Sequence, residues 1–231
     1  MSLQLDRSRA GAILKGAGWW GLFIVCLTFG AFALWMGGLE VLYLAGFEET
    51  AKERAVPAAF IIHALAGGVA LIAGPLQFNQ RLRKGSRRLH RFIGRVYVGA
   101  VWLASIAGFW SALFFAVDIP ARVLFGIVAI LWFTATTLAF SHIRRGRVAL
   151  HREWMIRSFA LSLFFVAFQP WVTGLESTGL ANAVAYPLGV FLSWSVNLIV
   201  AEVWIRRSRT PSERRPEPAL SHPRVQTYAA R

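Results

Sequence analysis

Long apolar runs alternate along this chain with short polar connections. A helix needs roughly 20 apolar residues to cross ~30 Å of hydrocarbon. Six stretches qualify: about Gly18 to Leu44, Val56 to Phe78, Ile93 to Ala116, Ala121 to Ser141, Met155 to Thr173 and Ala183 to Ile205. The pattern predicts an all-α integral membrane protein of six transmembrane helices, with a four-helix core from the second to the fifth spans. Residues 1–17 then form an N-terminal segment, 18–205 the membrane domain and 206–231 a basic tail. In that tail proline recurs beside Arg, Ser and Glu without apolar periodicity, which predicts disorder. The connections are too short to hold a soluble catalytic domain. The first span is too long for a signal-peptide core and no small-x-small site follows it, so it is read as retained.

Composition agrees. Hydrophobic residues make up 56% of the 231 and charged ones 16%, where a soluble domain is about a quarter charged. The net charge of +14 would suggest nucleic acid only if it shared a surface with a soluble core. Here the charges lie between apolar runs, so the partner is a bilayer and not nucleic acid. Lys and Arg in short loops stay on the cytoplasmic side. Of the 25 basic residues, 22 fall on one side of the six-span scheme, and only Lys52, Arg54 and Arg122 fall on the other. That split places both termini in the cytoplasm. Trp19, Trp20, Trp154 and Trp204 stand near the same boundary, where indoles favour the headgroup layer. A basic face of this kind attracts anionic lipid. The single cysteine, Cys26, excludes an intramolecular disulfide.

Two connections look alike. Arg81 to Arg91 and His142 to Arg152 are each a basic cluster with a glycine, followed by Leu-His-Arg where the returning helix starts. Arg95 and Arg157 follow one to two turns later. His90, His142 and His151 are therefore expected at one membrane depth, near the cytoplasmic ends of three helices.

Helical spacing sorts the remaining polar residues onto faces. In the second span His63, Gly67, Ala70, Gly74 and Gln77 form one stripe. In the third, His90, Gly94, Tyr97, Val101, Ala104 and Gly108 do the same, and in the fifth His151, Met155, Ser158, Ser162 and Gln169. Trp194, Asn197 and Ala201 share a face of the sixth. Small residues let a neighbouring helix, or a flat ligand, approach the backbone closely. An ionisable group at this depth is costly, so His63 is expected to face the bundle, and Glu202 to pair with Arg206 at i+4.

These residues resemble a bacterial family catalogued as domain of unknown function 2306. The matching pieces are His63, Gly74-Pro75-Leu76-Gln77-Phe78, Leu89-His90-Arg91-Phe92-Ile93-Gly94-Arg95-Val96-Tyr97, His151-Arg152-Glu153-Trp154-Met155-Ile156-Arg157-Ser158, and Trp194 with Asn197. The resemblance implies a six-helix protein of the bacterial inner membrane. It departs at Phe168-Gln169-Pro170, where such proteins tend to carry an arginine. In helix layout the chain also looks like the b561-type cytochromes, though three of its four core histidines sit at one side and two bis-histidine haems do not fit.

Three functional readings follow. The first is a redox protein with one b-type haem, its iron between His90 and His151. Arg91, Arg95, Arg152 and Arg157 would be donors to propionates or a quinone headgroup, and His142 a spare ligand or proton relay. The second is an accessory or assembly subunit docked to a membrane-protein partner. The third is a transporter of small molecules or lipid, with His63, Gln77, Tyr97 and Asn197 along a polar path. A zinc site from His90, His142 and His151 ranks below haem. No Gly-x-Ser-x-Gly elbow, phosphate loop or His-Glu-x-x-His motif is present.

Overall fold

The computed structural model describes residues 2–44, 58–115 and 118–209, with side chains described at 17–42, 58–114 and 118–209. No strand occurs among them. The helices are α1 (Ser2–Leu44), α2 (Ala58–Phe78), α3 (Gln80–Gly85), α4 (Arg87–Phe115), α5 (Ile119–Arg144), α6 (Val148–Ser162), α7 (Phe164–Ser177) and α8 (Asn182–Ser208). Five are long and apolar enough to cross a membrane. The pair α6 and α7, bent by 44°, passes the same test, giving six crossings when it is counted as one span. The tail from 210 onward lies outside the described residues.

The helices run past the ends of the apolar runs. The sequence reading starts the third span at Ile93 and the fifth at Met155, but α4 begins at Arg87 and α6 at Val148. The basic residues that end each hydropathic run do not end the helix, because Arg and Lys are good helix formers and carry their charge outward on long stems. The start of α4 is marked by Ser86, whose hydroxyl accepts the Leu89 amide at 3.3 Å. Asp118 caps α5 in the same way, accepting the Ala121 amide at 2.6 Å, with Pro120 in the first turn.

The two look-alike connections differ in backbone. Between α2 and α4 the chain makes the extra helix α3, capped by Asn79, whose side-chain Oδ1 accepts the amides of Arg81 (2.9 Å) and Leu82 (3.2 Å). Between α5 and α6 it turns through Arg145-Gly146-Arg147, and Gly146 takes φ of +71°, a left-handed value that glycine adopts without steric cost.

Helices α2, α4, α5 and α6 enclose the main core, built from Ala66, Ala70, Tyr97, Val101, Ala104, Trp132, Ala135, Ala139 and Met155 among others. Alanines on the facing stripes bring the helix backbones close, the usual device where lipid removes any hydrophobic preference for helix contact. The α1 helix packs on α2 at crossed glycines: a Cβ added to Gly68 would stand 2.8 Å from the Gly30 carbonyl oxygen. Cys26, Leu71 and Phe159 close a second cluster joining α1, α2 and α6. On the other flank α8 lies against α6 and α7. The break between α6 and α7 follows Ser162, whose hydroxyl donates back to the Ser158 carbonyl at 3.1 Å, a bond that weakens and bends a helix.

Candidate functional site

Three polar assemblies stand inside this bundle, and they occur at different depths. The central one is a closed hydrogen-bond network. Tyr97 of α4 is fully buried, and its hydroxyl lies 2.8 Å from Ser158 Oγ and 3.0 Å from Ser162 Oγ on α6. From α5, Trp132 donates its indole N–H to Ser162 Oγ at 3.0 Å. Thr136 Oγ1 lies 2.6 Å from Ser158 Oγ and donates to the Trp132 carbonyl at 2.8 Å. One donor assignment uses every hydrogen. Trp132 gives to Ser162, Ser162 to the Ser158 carbonyl, Thr136 to the Trp132 carbonyl, Ser158 to Thr136 and Tyr97 to Ser158. A buried network with every member satisfied specifies one arrangement of its helices. Tyr97, expected beside a transport path, is thus inaccessible and committed to α6. Trp132 and Thr136 were not singled out from sequence. Their signal was a polar pair at i, i+4 inside an apolar span.

The outer assembly is His63 alone. Its Nδ1 stands 2.8 Å from the Ala104 carbonyl oxygen. A carbonyl only accepts, so Nδ1 carries the proton and Nε2 the lone pair. The ring fills the notch beside Gly108, where a Cβ would lie 2.5 Å from Nδ1. Two other glycines of these stripes are filled too, Gly74 by the Phe159 ring and Gly94 by Gln77, whose Oε1 would be 3.1 Å from an added Cβ, while Gly67 has nothing within 4 Å. Close approach on these faces is therefore spent on side chains of neighbouring helices.

The third assembly lies at the basic end, and there the three histidines of the look-alike connections gather. His151 of α6 donates Nδ1–H to the Ala139 carbonyl of α5 at 2.9 Å, which again leaves Nε2 with its lone pair. His90 of α4 and His142 of α5 both lie within electrostatic reach of His151. Their Nδ1 atoms are buried without a hydrogen-bond partner among the described residues, and so is Nε2 of Gln77, one helical turn away across Gly94. Unsatisfied buried polar atoms are uncommon, and each asks for a reason. No group of three His, Cys, Asp or Glu among the described residues is arranged to hold a metal ion.

The arginines beside these histidines divide into two sets. Arg157 forms a bidentate pair with Glu202 of α8, at 2.5 and 3.2 Å, stands 4.0 Å from Glu153 and covers the Trp154 ring at 4.6 Å. Arg152 donates to Ser208 Oγ at 2.9 Å. Arg209 closes on Glu153 at 2.7 and 2.8 Å. Glu202 therefore pairs across helices with Arg157, whereas the sequence reading gave it Arg206. The cross-helix partner wins because it offers a two-pronged fit in a half-buried seam. Arg91 and Arg95, by contrast, are exposed on α4. Asn197 of α8 donates to the Ala160 carbonyl at 3.2 Å, which binds the same two helices nearer the bundle centre.

No curated protein and no solved structure matches the chain. Residues 60–205, which run from α2 to α8 and carry His63, His90, His142, His151 and the arginines from Arg81 to Arg157, match the family of predicted membrane proteins designated DUF2306, and the chain belongs to that family.

Proposed function

We propose that this chain is a redox protein of the bacterial inner membrane, with both termini cytoplasmic, whose working centre is the imidazole layer at the basic end. The cofactor proposed is one b-type haem between His90 and His151. The observation that carries this reading is the bond from His151 Nδ1 to Ala139 O. It fixes the tautomer that leaves Nε2 free to ligate, which is the outer-shell arrangement that orients a metal-ligating histidine. The Nδ1 atoms of His90 and of His142 add to it, since they mark a layer whose hydrogen bonding the described residues do not complete. Two neutral imidazoles are the donor set that a b-type haem takes. When bound, such a haem supplies one-electron chemistry tuned by its axial ligands.

The chain's own residues would hold and orient it. His151 is locked to α5, and α6 is locked to α8 by Arg157–Glu202 and Glu153–Arg209. Arg91 and Arg95 are the arginines left for propionates or a quinone headgroup, because Arg152 and Arg157 are engaged with α8. The cytoplasmic orientation rests on 22 of 25 basic residues falling at one end.

The test is an optical spectrum of the detergent-purified protein, oxidised and then dithionite-reduced, after expression with ample haem. A Soret band with a sharp reduced α band at near one haem per chain is expected. A featureless spectrum from folded protein would remove the haem reading and leave the histidine layer as a binding surface for a partner subunit.

A further inference from the structure

Among the described residues, the basic end carries more cation than its carboxylates match. Helices α2, α3 and α4 contain no Asp or Glu at all. Among the residues whose side chains are described, the two glutamates near this end, Glu153 and Glu202, are taken by Arg157 and Arg209. On α3 and the first turn of α4, Arg81, Lys84 and Arg88 are exposed, while Arg83 lies within electrostatic reach of His90.

An apolar groove opens directly above these residues on the outside of the bundle, between α2 and α4. It is lined by Val69, Ile72, Ala73 and Leu76 from one helix and Phe92, Ile93 and Val96 from the other, with a volume of about 240 Å³. Val69 to Leu76 spans two turns of α2, about 10 Å at 1.5 Å per residue, enough for the upper half of an acyl chain. Its walls are almost wholly apolar, and Phe92 and Val96 face outward. At its lower end α3 packs across the ends of both α2 and α4. Arg88 sits one helical turn before Phe92, so a headgroup at the foot of the groove meets Arg88 from α4 and Arg81 and Lys84 from α3.

We infer that this groove and its basic foot form a site for one anionic phospholipid, the acyl chain lying along α2 and α4 and the phosphate held by Arg81, Lys84 and Arg88. The apolar trough alone would take any lipid. The uncompensated cations at its foot select a negative headgroup, because arginine forks and lysine ammonium groups bind phosphate oxygens with charge-assisted hydrogen bonds. The short helix α3 replaces the simple turn found between α5 and α6 and carries Arg81 and Lys84, both exposed, at the end of α2 and α4 where the groove's foot lies. This site is independent of the haem reading.

The experiment is native mass spectrometry of the full chain in detergent, incubated with equal amounts of phosphatidylglycerol and phosphatidylcholine. One phosphatidylglycerol is expected to stay bound under activation that strips phosphatidylcholine. The double variant Arg81→Gln, Arg88→Gln is expected to reduce that preference about thirty-fold, at roughly 1 kcal/mol for each of the two basic residues near the surface. Val96→Trp, which fills the trough without altering charge, is expected to remove the retained lipid. The control Arg145→Gln, Arg147→Gln takes the same charge from the α5–α6 turn and leaves retention unchanged. Equal retention of the two lipids overturns the site, and so does a control that loses preference as much as Arg81→Gln, Arg88→Gln, since the attraction would then be diffuse.

Discussion

Ser162→Ala should destabilise the bundle more than Tyr97→Phe, although tyrosine loses its hydroxyl from a fully buried position. Among the described residues Ser162 is the only acceptor of the Trp132 indole N–H, at 3.0 Å. Its loss leaves a buried donor orphaned, which costs about 1–3 kcal/mol, and also removes the 3.0 Å contact with Tyr97. That contact carries no hydrogen in the donor assignment above, so the total stays at roughly 1–3 kcal/mol. Removing the Tyr97 hydroxyl strands nothing. Ser158 still has Thr136 at 2.6 Å, and Ser162 still has Trp132 and the Ser158 carbonyl. That change should cost about 1 kcal/mol or less. The assay is equilibrium unfolding of the purified protein by sodium dodecyl sulfate in mixed micelles, followed by tryptophan fluorescence and circular dichroism. A Tyr97→Phe loss equal to or larger than that of Ser162→Ala would refute the donor assignment and, with it, the closed network.

Three further outcomes follow from the same geometry. Gly108→Ala should destabilise by roughly 1–3 kcal/mol, because its Cβ would stand 2.5 Å from His63 Nδ1; Gly126→Ala meets only Phe109 at 3.6 Å and should be neutral or better in the same unfolding assay. Glu202→Gln should cost about 1 kcal/mol or less, since its side chain is 39% exposed. Arg157→Gln should cost roughly 1–2 kcal/mol, because it loses Glu202, Glu153 and the Trp154 ring together; a double-mutant cycle of Arg157 with Glu202 measures their shared part. Asn197→Leu removes the donor to the Ala160 carbonyl and should cost about 0.6 kcal/mol, near the membrane average, readable as a shift in the unfolding midpoint.

The crossings were legible in the sequence because length and apolarity are local properties that a bilayer enforces one helix at a time. The depth of His90, His142 and His151 was legible for the same reason: all three flank basic connections. Helix rotation and partner choice were not. The small-residue stripes predicted close contact without saying what fills it, and the structure puts Phe159 beside Gly74, Gln77 beside Gly94 and His63 beside Gly108. Glu202 had a good partner four residues away in Arg206, yet it pairs with Arg157 across forty-five residues of chain. Only tertiary packing chooses between them. The helix α3 was invisible too, because six residues rich in Arg and Lys read as a loop until Asn79 is seen to cap them.

The central claim is that the imidazole layer at the basic end, and not His63, is the cofactor centre. Haem content per chain, measured as the pyridine haemochromogen in wild type, His90→Ala, His151→Ala and His63→Ala, tests it most directly. The account predicts near one haem in the wild type and in His63→Ala, and none in the other two. Haem retained in His151→Ala, or lost only in His63→Ala, would contradict it.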